Sequence, residues 1–296
     1  SQISIDDVKI NLKNINLKNY ITNFEDKIIL KNDKLNFKIK NKNKIIISIY
    51  SKYIFNKKQK AQDISLNYSR VNSIEKYELY IDLIENVLNF NEINFSKKKD
   101  EEMFLDLQAT INKNIFEINN LKLFNSKNMF NLKNFQFGQN FKISDFSSIE
   151  ANYFNNNEFL NNLSIKKIKN NIKFKSKSFD ISSNLEKSLK SKNKSNFLDI
   201  FQNLDSSIDI NIKLARLDEQ HNLNNLNGKM SIKNNKVDIG NLSATFDSEN
   251  KFIYTKNEID GKKVTTIFSD IPKPFVKKFK FIKGFEGGKL DFTSTE

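Results

Sequence analysis

Apolar and polar residues alternate along most of this chain with a period of two. Ile208, Ile210, Ile212 and Leu214 are aliphatic, while Asp209, Asn211 and Lys213 between them are polar or charged. Tyr77, Leu79, Ile81 and Leu83 repeat the pattern around Glu78, Tyr80 and Asp82. Shorter runs of the same kind include Leu35, Phe37 and Ile39; Ile64, Leu66 and Tyr68; Leu105, Leu107, Ala109 and Ile111; Ile172 and Phe174; Met230 and Ile232; Val237 and Ile239; and Leu242, Ala244 and Phe246. Successive side chains of a strand point to opposite faces, so each run predicts a strand with one apolar face. The runs return at roughly ten-residue intervals, separated by Asn, Asp, Lys and Ser, which tolerate turns. Strands so closely spaced pair as an antiparallel meander, because parallel neighbours need a crossover. Asn119-Asn120 and Asn234-Asn235 are expected at hairpin tips, where Asn accepts the left-handed conformation. The predicted class is all-β: a long antiparallel meander forming a curved, groove-like sheet. A closed β-sandwich needs the same single apolar face, and periodicity does not separate the two.

The rhythm breaks twice. From Ser195 to Leu204 the apolar residues Phe197, Leu198, Ile200, Phe201 and Leu204 take helical spacing, predicting a short helix near 195–204. From Ile271 to Lys280 a second helix is expected, near 272–280. Asp270 is placed to cap it, Pro272 and Pro274 suit only a first turn, and Gly284 follows its end. The pause at 183–205 suggests two segments: a repetitive β-sheet over 1–182, and a β segment holding both helices over 183–296. Ser1 is not Met and 291–296 still read as strand, so a piece of a longer chain is expected.

Composition narrows the chemistry. The longest apolar runs, such as Ile45-Ile46-Ile47, are far too short for a membrane-spanning helix, which needs about 20 residues. There is no Cys, hence no disulfide, thiolate metal site or Cys nucleophile. The net charge of +14 invites nucleic acid as a partner. However, Arg70 and Arg216 are the only arginines, and Lys lacks the planar fork that clamps phosphates and bases. The abundance of Lys, Asn, Ile and Phe reads instead as codon bias, with a secondary attraction to anionic headgroups; nucleic acid is not expected as a partner. His221 is the single histidine and reads as a surface residue in an Asn-rich turn. Lys97-Lys98-Lys99-Asp100-Glu101-Glu102 reads as a solvated hairpin tip, lacking the alternating acids and Gly of a calcium loop. The Gly284 to Gly288 segment opens a strand and not a helix, the wrong order for a nucleotide-binding turn. Hence no catalytic residue, metal ligand or cofactor is expected.

The C-terminal third resembles a known family. The residues that carry this are Phe179-Asp180-Ile181-Ser182, the strand 208–214, Leu226-Asn227-Gly228-Lys229-Met230 and Val237-Asp238-Ile239-Gly240-Asn241-Leu242. They end in Ser269-Asp270-Ile271-Pro272 and Gly284-Phe285-Glu286-Gly287-Gly288-Lys289-Leu290. This order is similar to the C-terminal AsmA-like region of YhdP-type proteins, where a strand ends in Ser-Asp, a short helix follows and a Gly-Gly-x-Leu strand resumes the sheet. The structural motif is then Ser269, Asp270, Pro272, Gly284, Gly287, Gly288 and Leu290. The resemblance implies a periplasmic protein of the Gram-negative envelope, anchored in the inner membrane by segments absent here. It also implies non-enzymatic transport of phospholipid between the two membranes, with acyl chains sliding in a hydrophobic β groove. The residues expected to face that groove are Ile208, Ile210, Ile212, Leu214, Met230, Ile232, Val237, Ile239, Leu242 and Phe246. Phospholipid acyl chains are the expected partner, with other envelope proteins a second. The alternative role is a scaffold or assembly factor for outer-membrane proteins.

Overall fold

In the computed structural model, residues 2–5, 8–11, 17–22, 24–25, 27–41, 44–113, 115–138, 143–182, 204–233, 236–279 and 287–295 are described. The structure is nearly all β, with 69% strand, and forms curved, open sheet, not a closed sandwich. It divides into two compact units, Ser1–Phe146 and Ser147–Glu296.

The first unit holds β1 (Gln2–Ile5), β2 (Val8–Asn11), β3 (Lys27–Asn41), β4 (Lys44–Ile54), β5 (Gln62–Val71) and β6 (Ile74–Asp82). After these come β7 (Leu88–Phe90), β8 (Phe95–Lys97), β9 (Phe104–Asn112), β10 (Ile115–Phe124), β11 (Met129–Phe137) and β12 (Ile143–Asp145). β1 and β2 share one side of β3; the order then runs β3, β4, β5, β6, β9, β10, β11, β12, every pair antiparallel. The hairpin β7–β8 is a separate small sheet.

The second unit holds β13 (Ser148–Phe154), β14 (Leu160–Ile168), β15 (Asn171–Asp180), β16 (Ser206–Arg216), β17 (Asn222–Lys233) and β18 (Lys236–Thr245). It continues with β19 (Lys251–Ile259), β20 (Lys262–Ser269), a helix α1 (Lys273–Phe279) and β21 (Leu290–Thr295). Spatial order follows sequence order from β13 to β21.

Three expectations change, and two fall outside the described residues. The meander is not wholly antiparallel, since β15 and β16 pair in parallel. A parallel pair needs a connection of about a dozen residues or more, and the rhythm pause at 183–205 sits in that crossover. The pause therefore lies inside the second unit, and the division of the chain comes earlier, after Phe146. Of the helix expected near 195–204, only Leu204 is among the described residues; it is buried. Asn119-Asn120 lies within β10, not at a tip, where the register against β9 shifts between Ile118 and Asn120. Residues 234–235 fall between the paired Lys233 and Lys236 and outside the described residues.

The second expected helix is α1, and its surroundings explain its stop-and-start sequence. Pro272 and Pro274 are buried, and the amides of Phe275 and Val276 both donate to the Pro272 carbonyl, opening the first turn. Asp270 does not cap it among the described residues. Its carboxylate accepts the Lys251 amide at 2.8 Å and meets Lys289 Nζ at 2.8 Å, tying the end of β20 to β19. Ser269 is fully buried and donates to the Ile271 carbonyl at 2.8 Å. Gly284 lies outside the described residues; Gly287 and Gly288 are exposed, with Gly288 at φ +82°, and Leu290 opposes Ser269.

Candidate functional site

Strand register turns the alternating sequence into continuous apolar rungs. Directly opposed residues of paired strands share a face, so partners can be followed across each sheet. In the second unit one rung runs Ile149, Ile165, Phe174, Ile210, Gly228, Leu242, Tyr254, Ile267, Phe292, from β13 to β21 without a charged residue. In the first unit Ile49, Leu66, Leu79, Leu107, Leu121 and Leu132 form a purely aliphatic rung from β4 to β11. The neighbouring rung there is Ile47, Tyr68, Tyr77, Ala109, Ile118 and Phe135.

Exposure along these rungs is uneven. Ile165 is fully buried and Phe174 nearly so, but Ile210, Leu242, Tyr254, Ile267 and Phe292 are half-exposed. Every member of the aliphatic rung in the first unit is also half-exposed. Apolar side chains remain accessible along a line, and a non-polar guest can be received there.

One end of each apolar face is covered by a small element. In the first unit Phe90 and Phe95 of the β7–β8 hairpin lie against Phe130, with ring centroids 6.3 and 5.0 Å away. In the second, Phe275 of α1 stacks on Phe252 at 5.1 Å and meets Phe246 edge-on at 6.3 Å. The opposite margin turns polar in the second unit. The rung Ile172, Ile208, Met230, Gly240 continues into Lys256, Thr265 and Ser294. Beyond it Lys263 Nζ sits 2.8 Å from Asp238 and 2.7 Å from Glu258, which hold its pKa above, and Asp238's below, the ordinary value.

The residues expected to line the groove are mostly brought together. Ile208, Ile212, Met230 and Ile232 are buried on one face, with Ile210 half-exposed between them. Val237 opposes Ile232, Leu242 opposes Gly228, and half-exposed Phe246 meets Phe275. Two depart. Ile239 opposes Ser231 and is 46% exposed, because a bulge between Ser231 and Ile232 shifts the register by one and turns it to the opposite face. Leu214 opposes Ser178 and Asn224 and is half-exposed, while Ala215 and Leu217 take the buried side: the alternation changes parity after Ile212. A side chain at Gly228 would force the backbone to shift: a Cβ there would collide with the Asn241 carbonyl oxygen and lie 2.8 Å from Leu242 Cα.

Two polar readings also change. Lys98 to Glu102 are exposed, but Lys97 is 1% exposed and donates to the carbonyls of Leu83, Ile84 and Asn86 at 2.6–2.7 Å. A strand-end cluster surrounds it: Tyr53 donates to the Asp82 carbonyl at 2.6 Å and to Asn86 Oδ1 at 3.0 Å, and burial pushes the Tyr53 pKa up. The second unit has a counterpart. Tyr153, its pKa also raised by burial, lies near Asp180, which accepts from Asn155 at 2.6 Å. His221 is not simply solvated; its Nδ1 is 2.8 Å from Asp218 in the β16–β17 turn. The lining residues expected from the sequence all lie in the second unit, and the leucine rung of the first is not among them. The signal was there in Leu66, Leu79 and Leu107, but only pairing aligns them.

Among the described residues no helix is long and apolar enough to cross a membrane, and no cluster of His, Asp or Glu is arranged to hold a metal. Comparison with protein-family models, curated proteins and solved structures finds no match to this chain.

Proposed function

We propose that this chain is a stretch of an AsmA-like, YhdP-type envelope protein that carries phospholipid acyl chains along the apolar face of its sheet. It works in the periplasm between inner and outer membrane, without making or breaking a bond, in a parent anchored in the inner membrane. One observation carries the reading: the rung Ile210, Gly228, Leu242, Tyr254, Ile267, Phe292 is unbroken and half-exposed. At about 4.8 Å per strand it offers a track about 24 Å long, longer than one leaflet of a hydrocarbon core about 30 Å thick. Covering such a surface is favourable by about 25 cal/mol per Å² and has no preferred direction, so a chain is held without being fixed at one register. The polar margin at Lys256, Thr265 and Ser294 leaves headgroups beside water.

The competing reading is a scaffold for outer-membrane protein assembly. Its physical route is strand addition, and among the described residues β21 pairs only with β20. The two are separated by photo-crosslinkers at Ile210, Leu242, Ile267 and Phe292, with Thr255 and Thr266, paired on the other face of β19–β20, as controls. Phospholipid captured at the first four positions and not at the controls is expected. Capture of protein at β21 with no lipid anywhere would replace transport by the scaffold.

A further inference from the structure

The face opposite the rungs is unusually basic in one place. Lys166, Lys173, Asp209 and Lys229 form a rung across β14 to β17. Lys175 lies two residues along from Lys173 on the same face, and Lys177 and Lys213 follow in the next row. All six lysines are exposed. Lys166 and Lys173 are direct partners, and like charges directly opposed weaken a sheet. Only Asp209 and Glu150 offset them on these rungs, and Asp209 is shared between Asn171 at 2.8 Å and a distant Lys229 at 3.9 Å. Such a field is relieved by an external anionic surface.

Apolar side chains mark what kind of surface. On the same face, at the β13–β14 hairpin end, Phe154 and Leu160 are direct partners, 44% and 40% exposed. Beyond Lys166 at the other end of β14, Ile168 is 53% exposed. Lysines bounded by exposed apolar residues suit a headgroup layer with acyl chains beneath. A nucleic acid would instead call for Arg forks and stacking rings among the charges; the lysine rungs carry Asn and Ser between them, while Phe154 and the pair Arg216–Phe159, 5.1 Å apart, lie at the hairpin end beyond them.

We propose that the outer face of β13–β17 docks on an anionic phospholipid surface, its lysines at the headgroups and Phe154 and Leu160 at the acyl boundary. This docking does not depend on acyl chains entering the opposite face. The full chain is mixed with phosphatidylcholine vesicles, with or without about one-third phosphatidylglycerol, and binding is read by co-sedimentation at two salt concentrations. Binding only to the anionic vesicles, weakened by salt, is expected. The triple variant Lys173→Gln, Lys175→Gln, Lys177→Gln should bind about a hundredfold more weakly. Lys76→Gln, Lys122→Gln, Lys133→Gln, equal in charge but in the first unit, should bind as the parent does. Leu160→Ser should weaken binding without changing its salt dependence. If melting shows the first triple misfolded, Lys166→Gln with Lys229→Gln repeats the test. Equal loss from both triples, equal binding to neutral vesicles, or displacement of vesicles by a single-stranded RNA that binds more tightly would each overturn the proposal.

Discussion

An aspartate placed at two points of one rung should have two different consequences. Ile165 and Ile267 lie on the same apolar line, yet Ile165 is fully buried and Ile267 is half-exposed between Tyr254 and Phe292. Ile165→Asp forfeits about 1.5–3 kcal/mol of side-chain burial and adds several kcal/mol for an unpaired carboxylate in an apolar setting. A loss of about 5 kcal/mol rivals the whole stability of a small domain and corresponds to a fall in Tm of about 10–20 °C for a unit of this size. Ile267→Asp keeps its carboxylate in water and should cost about 1–2 kcal/mol. The assay is thermal melting by circular dichroism, paired with mass spectrometry of phospholipid extracted from the purified protein. Ile165→Asp should be unfolded or nearly so. Ile267→Asp should melt cooperatively but carry less phospholipid, because an acyl chain crossing β20 must desolvate the charge. Equal destabilisation by both changes would mean that the rung is a closed core at β20. A stable Ile267→Asp protein with undiminished lipid would remove β20 from the path.

Three further outcomes follow from single sites. Gly228→Ala forces a Cβ into the backbone of Asn241 and Leu242 and should lower Tm by about 5–10 °C, whereas Gly287→Ala, with nothing within 4 Å, should leave melting unchanged. Lys97→Met preserves the volume but removes the ammonium from the carbonyls of Leu83, Ile84 and Asn86; the first two keep the amides of Asn86 and Asp100, so about 1–2 kcal/mol of destabilisation is expected, and unchanged denaturant midpoints would refute the buried cap. The Lys289 ammonium and the Lys251 amide hold the Asp270 carboxyl below its ordinary 3.8. A depressed carboxylate contributes stability above its unfolded pKa that disappears as pH falls through the folded one, so melting of the parent should drop below about pH 4 more steeply than that of Asp270→Asn.

The amino-acid sequence alone determines the class of structure and the place of most strands. Side chains alternate across a strand whatever it pairs with, so 208–214 and 77–83 announce an apolar and a polar face unaided. The helix at α1 is equally local, because Pro272 and Pro274 are compatible with a first turn and with little else. What depends on neighbours was decided in three dimensions. Ile239 has the right spacing for the apolar face, but an extra residue opposite Ser231 and Ile232 turns it outward, and a bulge is a property of a pair. Lys97 sits in a run of charges that reads as solvated, and only the fold of 83–86 around it supplies three carbonyls. The parallel pairing of β15 with β16 likewise needs a crossover whose path no alternation encodes. Above all, Ile165 and Ile267 are indistinguishable as letters. Burial of one and exposure of the other is set by what lies above the sheet, and that is decided by tertiary structure and not by the period of two.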